Sequence, residues 1–168
     1  LSAEFRRHSV ADFLLPALAH LPRDRFELIL YYTSTASDAT TDRFRAAAGA
    51  WRDAAALSDA ALNERIRSDR IDILIETSGL TNGHRLAALV PRAAPIQISY
   101  LGYPNTTGLP TMDWRLIDAN TEPGDSPGPE HLARLAPSFL CWAPPDDAPP
   151  VELAGPRRPP TFGCFAAM

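Results

Sequence analysis

Lysine is missing from this chain: all 16 cationic side chains are arginine. That absence removes two chemistries from these residues, the phosphate loop of the Walker type and Schiff-base catalysis. Cysteine is scarce, with Cys141 and Cys164 far apart and no His/Cys group at ligand spacing, so neither a disulfide framework nor a zinc site is implied. No apolar run approaches the roughly 20 residues that span a bilayer, and the chain has no signal-like start, so a cytoplasmic protein with no membrane segment is expected. The net charge of −4 comes without a basic stripe, which argues against a nucleic-acid partner. Also absent are an Asp-x-Asp pair, a His-x-x-x-His pair and a dinucleotide glycine fingerprint. The arginine-only, alanine-rich usage reads as genome composition rather than function.

What is present is an alternation of strand and helix signals. Val10, Phe13, Leu14, Leu18 and Leu21 fall at helical spacing behind Ser9, which predicts an amphipathic helix over 9–20 capped by that serine. Phe26 to Tyr32 reads as a strand, a short helix runs through Phe44 and Ala48, and Trp51 opens a brief extended piece toward Leu57. Ser58 caps a further helix bearing Leu62 and Ile66. Ile71 to Ile75 is a largely apolar run of the kind buried on both faces of a parallel sheet. A short helix from His84 to Val90 stops at Pro91, Ile96 to Tyr100 is the next strand, and Trp114 to Ile117 is one more. The order predicts an α/β layer with a parallel sheet, its strand-end loops along one edge. Most of the 17 prolines lie in 120–129 and 144–160, where regular structure is not expected. The termini read as those of a fragment: residues 1–5 look like the tail of a strand, and 161–165 like the start of another.

Two strand-end loops carry the chemistry. Pro95 to Pro110 runs a buried strand into a loop of glycine, proline and hydroxyls, suited to presenting backbone and hydroxyl groups to a ligand. The alternative is an ordinary crossover turn. Thr77 to Gly83 is a second loop of this kind, with His84 at its border. Glu4 and His8 lie four residues apart beside the first helix, where an imidazole could exchange a proton near neutrality or simply bind backbone at the helix entry. His20 and His131 read as surface residues. The doublet Asp146-Asp147 sits in the proline-rich stretch and suggests no metal site.

Taken together, Glu4-Phe5-Arg6-Arg7-His8-Ser9-Val10, Asp69 to Leu74, Gly79-Leu80-Thr81, Arg92 to Gln97 and Leu101-Gly102-Tyr103-Pro104-Asn105-Thr106-Thr107-Gly108 resemble the O-GlcNAc transferase and SPINDLY-like glycosyltransferases of family 41. The motifs stand in that family's order along the whole chain. The resemblance implies the N-terminal catalytic lobe of a GT-B glycosyltransferase: a Rossmann-like parallel sheet flanked by helices over 1–143, a proline-rich linker over 144–160, and the first strand of the C-terminal lobe at 161–168. It implies an inverting, metal-independent enzyme, without cofactor, usually preceded by tetratricopeptide repeats. Such enzymes move GlcNAc from UDP-GlcNAc to Ser/Thr hydroxyls of acceptor proteins, or fucose from GDP-fucose. A lobe of this kind that grips proteins without catalysis is the alternative from another class.

By the same resemblance, His8 matches an active-site histidine once proposed as general base, and Glu4 stands where the family usually has aspartate. Thr81 matches the threonine of a Gly-His-Thr or Gly-Tyr-Thr loop, with Leu80 replacing the polar residue before it. Leu101, Gly102, Tyr103, Pro104 and Thr106 match the loop that meets sugar and acceptor. The nucleotide is held mostly by the C-terminal lobe, so one lobe alone is expected to be inactive.

Overall fold

The computed structural model describes residues 1–124, 128–144 and 147–151. Most of the expected linker over 144–160, the whole of the expected strand at 161–168, Asp146 and Cys164 lie outside the described residues. Ten elements follow in order: α1 Ser9–Ala19, β1 Ile29–Tyr32, α2 Ala39–Ala47, β2 Ala50–Asp53, α3 Asp59–Ser68, β3 Ile73–Glu76, a 3-10 turn Leu86–Leu89, β4 Ile96–Ser99, β5 Trp114–Ile117 and β6 His131–Arg134.

Side-chain caps start each α-helix. Asp38 accepts the Thr40 and Thr41 N–H groups, and Thr41 Oγ1 accepts the Asp38 N–H, a reciprocal capping box for α2. Ser58 caps α3 as its sequence position predicts, accepting the Ala61 N–H at 3.2 Å. For α1 the expected cap is wrong. His8, in extended conformation, takes that role through Nδ1, and Ser9 already lies in the first turn. The helix expected over 84–90 is reduced to the 3-10 turn, because Arg85 and Pro91 leave room for a single turn. β6 is an addition: His131-Leu132-Ala133-Arg134 has no β-branched residue to signal a strand, and it forms as an edge partner of β5.

Every strand pairing is parallel, β1 with β2 and β3-β4-β5-β6 in sequence. Residues 1–3 join the two sheets. The Ser2 N–H donates to Tyr31 O and the Thr33 N–H to Ser2 O on one side; the Leu1 nitrogen donates to Ile75 O and the Thr77 N–H to Leu1 O on the other. The spatial order is therefore β2, β1, residues 1–3, β3, β4, β5, β6. The chain leaves residues 1–3 in one direction and returns on their other side at β3. That reversal is the switch point at which a crevice opens beyond the carboxyl ends of a parallel sheet.

Phe5, Leu14, Leu30, Tyr32 and Phe44 bury one face under α1 and α2, and Tyr31, Leu62, Ile66, Leu74 and Leu89 bury the other under α3 and the 3-10 turn. Burying a side chain the size of Phe44 or Leu62 contributes about 1.5–3 kcal/mol. The expected two-sided burial of β3 is not found. Ile73 is 46% exposed and Ile75 39%, and Ile96 and Trp114 share the open face. α1 and α2 shelter the β1–β2 half, and α1 with Phe139 also covers Tyr100 and Leu116, which leaves the part around Ile73, Ile75, Ile96 and Trp114 open.

Asp69 at the end of α3 binds this frame together, accepting Tyr31 Oη at 2.7 Å and the Nε groups of Arg52 and Arg65 at 3.0 Å each. Burial pushes its carboxyl up, but hydrogen bonds from Arg52, Tyr31 and Arg65 prevail and lower it to about 2 from 3.8. A carboxyl depressed on folding stabilises above its unfolded pKa and loses that contribution as pH falls through the folded value. Asp69→Asn is therefore expected to cost about 1–2 kcal/mol at pH 7, after solvent screening, with the difference from the parent closing between about pH 4 and pH 2. Urea unfolding across that range checks it.

Candidate functional site

The crevice at the switch point is built from the segments that follow residues 1–3, β3 and β4. In the first, Glu4 turns inward and is 5% exposed. Its Oε2 accepts Ser2 Oγ at 2.8 Å and Ser78 Oγ at 2.6 Å. The Arg7 N–H donates to Asp38 Oδ2 at 2.7 Å, which pins this segment to the α2 cap. His8 is exposed, and its Nδ1 accepts the Val10 N–H at 3.2 Å. Glu4 and His8 lie in the same segment, but no hydrogen bond or ion pair joins them among the described residues. With Nδ1 accepting, the neutral ring carries its proton on Nε2, so in this state His8 offers a donor.

After β3, Glu76 accepts the Ser78 N–H through Oε1 at 2.8 Å and the Gly79 N–H through Oε2 at 2.7 Å. Burial pushes this carboxyl above its ordinary range, against the downward pull of those two N–H groups. Thr81 closes the loop, its Oγ1 donating to Ser78 O at 2.6 Å. Leu80 is half exposed. His84 is exposed, and its Nδ1 accepts the Leu86 N–H, giving it a local backbone partner.

After β4 the backbone is strained. Leu101 has φ +87°, and the Gly102 N–H donates to Tyr100 O at 3.3 Å, forming the rare γ-turn of positive φ. The turn presses Gly102 against the second segment so closely that a Cβ would overlap the Thr77 carbonyl, and it would also lie 3.3 Å from Val10 Cγ2 at the start of α1. Gly79, at φ +56°, meets Tyr103 equally closely. A Cβ on Gly83 would come 3.4 Å from Ala3 Cβ. The strand-end positions predict one rim for 4–8, 79–83 and 101–108, and these contacts join residues 3–4 and 10, 77–83 and 102–103 there.

Thr106 is tied to a distant acid. Its hydroxyl donates to Glu130 Oε2 at 2.6 Å, while the Thr107 hydroxyl and N–H donate to Oε1 at 2.6 and 2.7 Å. The two threonines anchor their loop to Glu130 instead of presenting free hydroxyls. Glu76 and Glu130, the two acids that hold these loops, do not stand out in the sequence. A glutamate three residues before a strand-end glycine is the only local signal for the first, and the second lies 23 residues from its nearest partner.

Comparison with known proteins places this geometry. The profile of Glycosyl transferase family 41 matches residues 1–141. A probable UDP-N-acetylglucosamine–peptide N-acetylglucosaminyltransferase, SPINDLY of Solanum lycopersicum, is 38% identical over 157 residues, 90% of this chain and 17% of that protein. SEC of Arabidopsis thaliana, another probable UDP-N-acetylglucosamine–peptide N-acetylglucosaminyltransferase, is 32% identical over 125 residues, 73% of this chain and 13% of that one. Among solved structures, a mutant O-GlcNAc transferase of Thermobaculum terrenum superposes with a TM-score of 0.82 at 40% identity, covering 87% of this chain and 28% of that one. The chain spans about a sixth of the length of the curated relatives it matches. No helix among the described residues is long and apolar enough to cross a membrane.

Proposed function

The chain belongs to glycosyltransferase family 41, and we propose that it is the acceptor- and sugar-facing lobe of an enzyme that moves GlcNAc from UDP-GlcNAc to Ser/Thr hydroxyls of proteins. One observation carries the reading: segments 4–8, 79–83 and 101–104 interlock at the sheet's switch point, on a fold shared with an O-GlcNAc transferase. The activity for which the relatives are named favours UDP-GlcNAc as donor over GDP-fucose.

The transfer is a single displacement with inversion and needs no metal ion. The acceptor hydroxyl oxygen bonds to the anomeric carbon, the bond from that carbon to the diphosphate oxygen breaks, the hydroxyl proton leaves to a base, and the diphosphate departs with the bonding pair. This lobe orients sugar and acceptor: the Leu101–Gly102 backbone approaches closely, Tyr103 and Leu80 supply apolar wall, and His8 supplies an imidazole N–H. Charge on the diphosphate is met by the C-terminal lobe.

The test uses the complete protein and the 168-residue chain side by side, each with labelled UDP-GlcNAc and GDP-fucose. Transfer from UDP-GlcNAc by the complete protein is expected, with the chain alone below about a thousandth of that rate. Transfer from neither donor by the complete protein sinks the enzyme reading in favour of a protein-binding lobe. Comparable rates from the chain alone sink the division of labour between lobes.

A further inference from the structure

Glu76 has no part in the transfer as described, although it is the most deeply buried carboxylate near the crevice, at 1% exposure. It ends β3, and its main-chain oxygen accepts the Tyr100 N–H at 3.0 Å, tying it to the end of β4. Its side chain curls forward over its own loop and receives two consecutive N–H groups, from Ser78 and Gly79. Both carboxyl oxygens are taken up in this way, and two hydrogen bonds from adjacent residues leave the chain little freedom. They bend it so that Gly79 takes φ +56° and brings its α-carbon against Tyr103. Ser78, held by the same carboxylate, donates its hydroxyl to Glu4 and accepts the Ala3 N–H at 3.3 Å. One buried side chain therefore fixes the loop that touches both of the other rim segments.

We propose that Glu76 is a positioning residue of the candidate site: from behind the rim it holds the Ser78–Gly79 turn against Tyr103, and so sets the spacing of the Thr81 and Gly102 loops across the crevice. The inference rests on the transferase reading for its kinetic consequence, though not for its structural one. Glu76 does not reach substrate in this arrangement. Its effect passes through Gly79 to Tyr103 and through Ser78 to Glu4.

The test is Glu76→Gln in the complete protein. Glutamine keeps the volume and one acceptor oxygen but turns an NH2 toward the other amide, so one of the two hydrogen bonds is lost. The expected result is a fall in kcat of about tenfold with KM for the nucleotide sugar changed less than about twofold, since the donor is held by the other lobe. Amide exchange in segments 76–83 and 100–104 should quicken by about the same tenfold factor. Unchanged exchange in 100–104 overturns the proposal, even if the protein is less stable, because the effect would then not pass to Tyr103. Unchanged kcat with quickened exchange overturns it as well.

If Glu76→Gln fails to fold, Gly79→Ala decides. It leaves the carboxylate alone but drives a methyl into Tyr103, and it should reproduce the fall in kcat at constant donor KM. Full activity in that variant overturns the proposal. If the parent protein transfers no sugar at all, the functional reading fails separately, and the exchange measurement still decides whether Glu76 holds the rim.

Discussion

Gly102→Ala is expected to abolish transfer by the complete protein and to lower its stability by about 2–3 kcal/mol. The added methyl would occupy the space of the Thr77 carbonyl oxygen and press on Val10 Cγ2. Neither neighbour can withdraw easily. Thr77 is 3% exposed and held by its N–H and hydroxyl to Leu1 O, and Val10 is at the buried start of α1. Rotation of the loop offers no relief, since Leu101 already stands at φ +87° and Tyr100 is anchored by its hydroxyl to Phe139 O at 2.9 Å. The loops must part, and the crevice opens with them. Gly108→Ala is the control: it has φ +72°, but its added methyl would meet nothing within 4 Å, so only the backbone cost of about 1 kcal/mol is expected. Thermal unfolding and a transfer assay on both variants check this. Parent-like activity in Gly102→Ala would show that the loops do not need their close approach.

The contrast between those glycines marks what was legible in the sequence. Gly102 and Gly79 stand out because each follows a short apolar strand, and a strand end in a parallel sheet is where ligand crevices open. The helix periodicity of Val10, Leu14 and Leu18, the Ser58 cap and the strand-helix alternation are local signals, and the structure follows them. Other features depend on partners far along the chain. Ser78 meets Glu4 across 74 residues and Thr106 meets Glu130 across 24, and nothing local distinguishes a hydroxyl that will face a ligand from one that will meet a distant carboxylate. Ile71 to Ile75 fails differently. An apolar run fits a strand covered on both faces or on one, and only the placement of α1 and α2 reveals that Ile73 and Ile75 stay open. The cap at α1 is another such case, since His8 and Ser9 are adjacent and both can accept a hydrogen bond; the extended backbone at residue 8 decides between them.

That cap also determines what a mutation at His8 will do. His8→Ala is expected to reduce turnover of the complete protein by about a hundredfold or more. It removes two things at once, however: the acceptor for the Val10 N–H, worth about 1 kcal/mol of stability, and the imidazole that faces solvent at the rim. His8→Asn separates them, because asparagine is a good N-cap and has no imidazole. Stability should return to the parent value while turnover stays low. The chemistry behind this is the tautomer. With Nδ1 accepting from Val10, the neutral ring holds its proton at Nε2, and it can take an acceptor's proton only by giving up the cap or its own Nε2–H. On the proposed reading, His8 in this state is a hydrogen-bond donor toward sugar or acceptor, not the base for the attacking hydroxyl. If His8→Asn restores turnover along with stability, the cap is all that His8 provides. If His8→Ala leaves turnover intact, the rim segment 4–8 has no part in the reaction.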